Sequence, residues 1–213
     1  EFLEGEPLTK IVEGGKSVPV PRLVAVARQL AEGLAAAHTA GIVHRDLKPN
    51  NVFRSENEPG KAIWKILDFG VAAIAGEGSD LTRGGAVGTP SYMSPEQARG
   101  EQVDHRTDVF ALGAIAYRVL TGQPAFTAGV AASILYQVVH MQPPQPSVLA
   151  SLHPDVDRVL ALGLAKDKAR RLESAAAFAL AFRAALRGEL SPPLRQAADA
   201  LLATDPWANP TTV

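Results

Sequence analysis

Apolar residues recurring at three- and four-residue steps run through most of this chain, and that period commits it to a largely helical fold. The first such stretch, Pro21 to Thr39, places Leu23, Val26, Ala27, Leu30, Leu34 and Ala37 on one face, with Gly41 as a stop. The same period returns at Thr107 to Thr121, Val130 to Met141, Asp155 to Lys166 and Ser174 to Arg187, separated by Gly and Pro punctuation, which predicts a helical bundle. One patch breaks the pattern. Ile42 to His44, Asn51 to Arg54 and Ala62 to Leu67 read as short strands, the last two joined by a polar turn over Ser55 to Gly60. Ala75 to Gly88 has no period and reads as a functional loop. From Ser191 onward Pro192, Pro193, Pro206 and Pro210 interrupt the chain, which predicts a helical turn or two within Leu194 to Leu202 and otherwise a linker.

Composition removes several classes of chemistry. The chain has no cysteine, so disulfides, thiolate metal sites and a thiol nucleophile are excluded, and a metal would be held by oxygen or imidazole ligands. Its 21 basic and 22 acidic side chains give a formal charge of −1, which supplies no global attraction to nucleic acid. Apolar runs such as Val109 to Val119 are broken by Gly113, Tyr117 and Arg118 and are too short to span a bilayer. The opening Glu1-Phe2-Leu3-Glu4 has no signal-peptide character and no initiator Met, so the expectation is a piece of a longer protein; the expected location is cytoplasmic, with membrane anchoring of the parent beyond the tail left open.

Two polar segments sit at the ends of the expected strands. In His44-Arg45-Asp46-Leu47-Lys48-Pro49-Asn50-Asn51, Asp46 is a carboxylate able to orient a hydroxyl and take its proton. Lys48 is a cation for a transferring phosphoryl group, and Asn51 is a ligand for a hard metal ion. In Asp68-Phe69-Gly70, Asp68 is a second oxygen ligand and Gly70 lets the chain turn away. These residue types suit phosphoryl transfer.

The two segments resemble the catalytic and metal-binding loops of eukaryotic-type (Hanks-type) serine/threonine protein kinases. The resemblance continues in order. Gly88-Thr89-Pro90-Ser91-Tyr92-Met93-Ser94-Pro95-Glu96 is similar to the substrate-docking loop, Asp108-Val109-Phe110-Ala111-Leu112-Gly113 to the central buried helix, and Arg171 to the arginine that braces Glu96. The detail of Gly88 to Gly100 looks bacterial. The resemblance implies a mainly α C-lobe over residues 9–187 with a small β-hairpin patch at its cleft, an N-lobe lying outside the chain, a hinge at 1–8 and a Pro-rich tail at 188–213. It places the catalytic loop at 44–51 and the activation segment at 68–96.

What the family would have these residues do follows from the match. Asp46 becomes the base, Lys48 the partner of the transferring phosphate, and Asn51 and Asp68 magnesium ligands for bound ATP. Backbone groups of Glu1 and Leu3 would hold adenine; Pro7 lies where relatives often offer a polar group to the ribose, and Phe53 either supports the base or is plain core. Arg45 would read a phosphate on the activation loop, where Ser79, Thr82 and Thr89 are the nearby hydroxyls and Thr82 the first choice, and His44 and Phe69 would belong to the apolar stack of the active state. Asp108 would anchor the catalytic loop through backbone N–H groups, and Lys48 with Thr89 points to Ser/Thr rather than Tyr substrates.

Implied partners are protein substrates, the N-lobe in cis and a second kinase copy for activation-loop phosphorylation, with no nucleic acid. A pseudokinase scaffold and a small-molecule phosphotransferase are the alternatives, the second opposed by Glu96. His38, His105, His140 and His153 have no metal-ligand spacing and read as surface or capping residues; Lys166, Lys168, Arg170 and Arg171 together read as a solvated helix end.

Overall fold

A computed structural model describes residues 4–15, 20–58, 61–69 and 90–209. In chain order its regular elements are β1 (Gly5–Pro7), α1 (Leu8–Ile11), α2 (Val20–Thr39), β2 (Val52–Glu58), β3 (Lys61–Ile66), α3 (Pro95–Ala98) and α4 (Arg106–Thr121). There follow α5 (Ala131–His140), α6 (Pro146–Leu149), α7 (Pro154–Gly163), α8 (Ala175–Ala185) and α9 (Pro192–Thr204).

The centre of the bundle is α4, which is buried on every side: Val109, Phe110, Ala114 and Tyr117 are all inaccessible to solvent. A helix without a polar face is stable only when other helices surround it. Here α2, α7 and α8 do so, with α2 packing on α8 and β3. Gly163 sets the closeness of one contact, because a Cβ there would lie 2.7 Å from Cε2 of Phe178 on α8. Three helix starts are capped by nearby side chains. His153 accepts the Asp155 N–H at the head of α7, Ser174 accepts that of Ala177 at the head of α8, and Ser94 with Gln97 forms a reciprocal capping box on α3.

The sheet is antiparallel in the order β1-β2-β3. Its third strand is not the expected Ile42 to His44. That segment has other uses for its backbone: Ile42 N–H closes the end of α2 on Ala37 O at 2.9 Å, and His44 N–H goes to the Asp108 carboxylate. Gly5–Pro7 takes the free edge of β2 instead, with Glu6 opposite Arg54. The hairpin arms also run further than the apolar pattern, through residue 58 and from residue 61, because ladder hydrogen bonds do not require apolar side chains.

The tail departs most from expectation. Residues 192–204 form a 13-residue helix docked on α7. Pro192 and Pro193 occupy its first turn, where an absent N–H breaks no helical hydrogen bond, so they start the helix rather than prevent it. Ala198 and Leu201 are buried against the bundle, and Arg195 forks onto the buried Asp155 at 2.9 and 2.7 Å. Beyond the helix, Ala208 N–H reaches Pro143 O at 3.1 Å.

Candidate active site

The loop between α2 and β2 is held by one buried carboxylate. Asp108, inaccessible on α4, accepts the backbone N–H of His44 at 2.9 Å and of Arg45 at 3.0 Å, and lies 2.7 Å from Nε2 of His38. Desolvating an anion is tolerable only when donors replace its water, and these three do. Nothing along the chain marks His38; only the packing of α2 on α4 brings it to Asp108.

His44 is buried and polarised in one sense. Its Nδ1 accepts the Asp46 N–H at 3.2 Å, so the ring proton sits on Nε2 and is donated to Leu67 O at 3.0 Å. The Phe69 ring meets it edge-on at 4.9 Å. Leu67 N–H in turn donates to Asn51 O at 2.8 Å. The segment 67–69 is thereby strapped to the loop 44–51, with Asp68 at the seam.

Asp46 is the hub of the polar groups. Lys48 Nζ donates to its Oδ2 at 2.7 Å, and Asn51 Nδ2 donates to its backbone oxygen at 2.9 Å and its Oδ2 at 3.2 Å. Fixing the amide nitrogen of Asn51 on Asp46 fixes the opposite atom, Oδ1, as the one left for a cation. Asp46 is 45% exposed and Lys48 19%, so the carboxylate faces open space while the amine is largely enclosed. Among the described residues the non-glycine positions with positive φ are Arg45 (66°) and Asp68 (57°), both in this site. Backbone held in that region concentrates where surrounding structure imposes a functional geometry.

The docking loop is braced from below. Arg171 forks onto Glu96 with two bonds of 2.6 Å, Thr107 Oγ1 donates to the same carboxylate at 2.8 Å, and Arg171 also reaches Ala165 O at 2.8 Å and Arg106 O at 3.1 Å. Burial alone would raise the Glu96 carboxyl, but the Arg171 bonds and charge, with smaller help from a backbone N–H and Thr107, outweigh it and hold the group at about 2. From the same short helix Gln97 Nε2 donates to Arg45 O at 2.7 Å. A continuous polar path thus joins Arg171, Glu96, α3, Arg45 and Asp108. The capping-box spacing of Ser94 and Gln97 is visible in the sequence; the reach of Gln97 to Arg45 is not.

Other expected residues fall in different places. Arg45 is exposed, and Phe53 is half-buried on β2 with its ring against Gly5. Glu1, Leu3, Gly70, Thr82 and Thr89 lie outside the described residues, as does Ala75 to Gly88. The basic cluster after α7 is a solvated helix end only in part: Arg170 is exposed and Lys168 partly so, whereas the other two turn inward. Arg171 is the buried brace, and Lys166 Nζ lies 4.3 Å from the Phe126 ring centre and 5.6 Å from that of Phe110, without a hydrogen-bond partner. Burial lowers its pKa to about 7, with Asp205 opposing and Arg171 adding to the shift. The apolar neighbours come from α4 and the turn after it, distant in sequence, so composition alone gave no warning.

A family profile described as "Protein kinase domain" matches residues 1–206, extending past residue 187 to include the docked α9. The serine/threonine-protein kinase Pkn1 of Myxococcus xanthus is 42% identical over 188 residues, covering 87% of this chain and 27% of that protein. PknB of Mycobacterium tuberculosis is 40% identical over 179 residues, covering 83% and 28% respectively. This chain therefore spans little more than a quarter of these relatives. Among solved structures, the PknI kinase domain of Mycobacterium tuberculosis, crystallised as a double mutant, matches with a TM-score of 0.66 at 26% identity over 86% of this chain and 63% of that one. The chain belongs to the protein kinase family, on the side of its bacterial, Hanks-type serine/threonine members.

Proposed function

We propose that this chain is the catalytic lobe of an ATP-dependent protein serine/threonine kinase. The observation that carries the reading is the convergence of Lys48 and Asn51 on Asp46, with the Asp68 segment strapped beside them through Leu67 and Phe69. In this role Asp46 orients the attacking hydroxyl and takes its proton, and its exposed side leaves room for a substrate. Lys48, already next to that carboxylate, neutralises charge on the transferring phosphoryl group.

The family uses ATP with magnesium. The donor set fits a hard cation: Asn51 Oδ1, oriented by its own amide bonds to Asp46, and the carboxylate of Asp68 are both oxygen ligands. Bound there, magnesium would neutralise charge on the nucleotide phosphates. Asp108, His38 and His44 act through position, holding the loop by backbone groups, and Glu96 with Arg171 keeps the docking segment in register with it. Arg45, exposed beside the docking helix, is suited to read a phosphate on the activation segment, Thr82 and Thr89 being its candidate sites.

The lobe that covers ATP from the other side is, in this reading, supplied by sequence outside these residues, and activation-loop phosphorylation is carried out by a second copy. A pseudokinase role is not favoured, since the relatives are serine/threonine-protein kinases and Asp46, Lys48, Asn51 and Asp68, the groups this lobe would contribute, are all present. No helix among the described residues is long and apolar enough to cross a membrane.

The test is Asp46→Asn in the intact protein, assayed on a Ser/Thr peptide. The amide preserves shape and can still accept from Lys48, so melting should be unchanged while kcat falls by about 100- to 10,000-fold. The 213 residues alone should turn over far more slowly than the intact protein, because positioning of both reactants supplies most of the rate. An Asp46→Asn enzyme of undiminished kcat refutes the assignment.

A further inference from the structure

Next to the proposed catalytic carboxylate lies a cavity of about 650 Å³ whose lining includes Lys10, Glu13, Lys48, Asn50, Tyr92 and Arg118. It begins at the active site, since Lys48 lines it and also holds Asp46 at 2.7 Å. Its charge is unbalanced. Lys48 is neutralised by Asp46, which leaves Lys10 and Arg118 against the single carboxylate of Glu13.

Arg118 stands in the last turn of α4 and has a structural duty. One Nη donates to Gly122 O and the other to Val12 O at 3.3 Å, tying the end of the central helix to the loop after α1. The two backbones meet closely there, as a Cβ on Gly122, at φ 74°, would lie 2.2 Å from Gly15 O. That duty explains where the guanidinium sits and not its charge, because both acceptors are neutral carbonyls. Among the described residues no carboxylate pairs with Arg118 or with Lys10. A half-buried guanidinium with donors to spare and no counter-ion is a site for an incoming anion. Tyr92 adds a neutral donor to the same wall: burial pushes its phenol up to about 12, against the opposing charge of Arg118.

We propose that this cavity is a specificity pocket for an anionic side chain of the protein substrate, a carboxylate or a phosphate near the phosphoacceptor hydroxyl, and that Arg118 selects it. The inference rests on the kinase reading above. A basic substrate flank would meet Lys10 and Arg118 and be disfavoured by like charge; an acidic one gains a partner for a cation that otherwise has none.

The experiment measures kcat/KM of the intact protein on peptides alike except for Glu, phosphoserine, Ala or Arg placed at each position flanking the acceptor. At one or more positions the anionic peptides should be favoured over Ala by about tenfold, and Arg disfavoured. Arg118→Gln keeps hydrogen-bond donors and loses the charge, so it should collapse that preference while leaving the rate on the Ala peptide within about twofold. Lys10→Gln, at an exposed position with no bonds to lose, should weaken the preference by about threefold and serves if Arg118→Gln fails to fold. A stronger response to phosphoserine than to Glu assigns the pocket to a previously phosphorylated substrate; equal responses assign it to acidic sequence. Phosphorylation indifferent to flanking charge, or favouring Arg, overturns the pocket and leaves the kinase reading intact. Failure to phosphorylate any peptide overturns the kinase reading and the pocket with it.

Discussion

Replacing Glu96 by Ala removes the acceptor for two guanidinium bonds of 2.6 Å and for the Thr107 hydroxyl at 2.8 Å, in a site where Glu96 is 1% and Arg171 5% exposed. Arg171 would keep only Ala165 O and Arg106 O, and a buried cation without its counter-ion costs about 3–5 kcal/mol. The same ion pair shows in the carboxyl's pKa. Lowering the carboxyl from 4.5 to about 2 corresponds to roughly 3 kcal/mol of stabilisation. For a chain of 213 residues such a loss lowers Tm by about 10 °C. Thermal and denaturant melts of the parent, Glu96→Ala, Arg171→Met and the double variant would measure it, with the double variant losing much less than the sum. The sign with pH is also set. Because the folded value lies below the unfolded one, the contribution is complete above pH 4.5 and disappears as pH falls through about 2, so the difference between Glu96→Ala and the parent narrows in acid. A Glu96→Ala protein melting like its parent at pH 7, or an additive cycle, refutes the argument.

Two further outcomes are expected. Lys166 is lowered to about 7 from 10.5, so the unfolded chain binds the extra proton between those values and stability rises with pH across that window, by up to about 1.4 kcal/mol per unit; Lys166→Met should flatten the slope and raise Tm at pH 6. Gly163→Ala drives a Cβ to within 2.7 Å of Phe178 and should destabilise by about 1–3 kcal/mol in denaturant melts, whereas Ala at Gly129, which has open space around it, should not.

Helix positions were legible along the chain because burial writes a local period. Every long apolar stretch became a helix within a few residues of its expected ends, and the polar segments at 44–51 and 67–69 lie together as their chemistry required. What the period cannot carry is partner choice. Ile42 to His44 had strand-like residues, yet its N–H groups were claimed by Ala37 and Asp108, and the sheet edge went to Gly5–Pro7. Proline in the tail read as interruption, although at a first helical turn it is permissive. His38, Lys166 and Arg118 look like ordinary surface residues in one dimension. Their roles come from which carboxylate, ring or empty space each one faces, and each one's surroundings are made by residues 40 to 106 positions away that only folding brings near. Local spacing determined the elements and the reactive groups; three-dimensional packing decided which charges are paired, which are stranded and which line an open cavity.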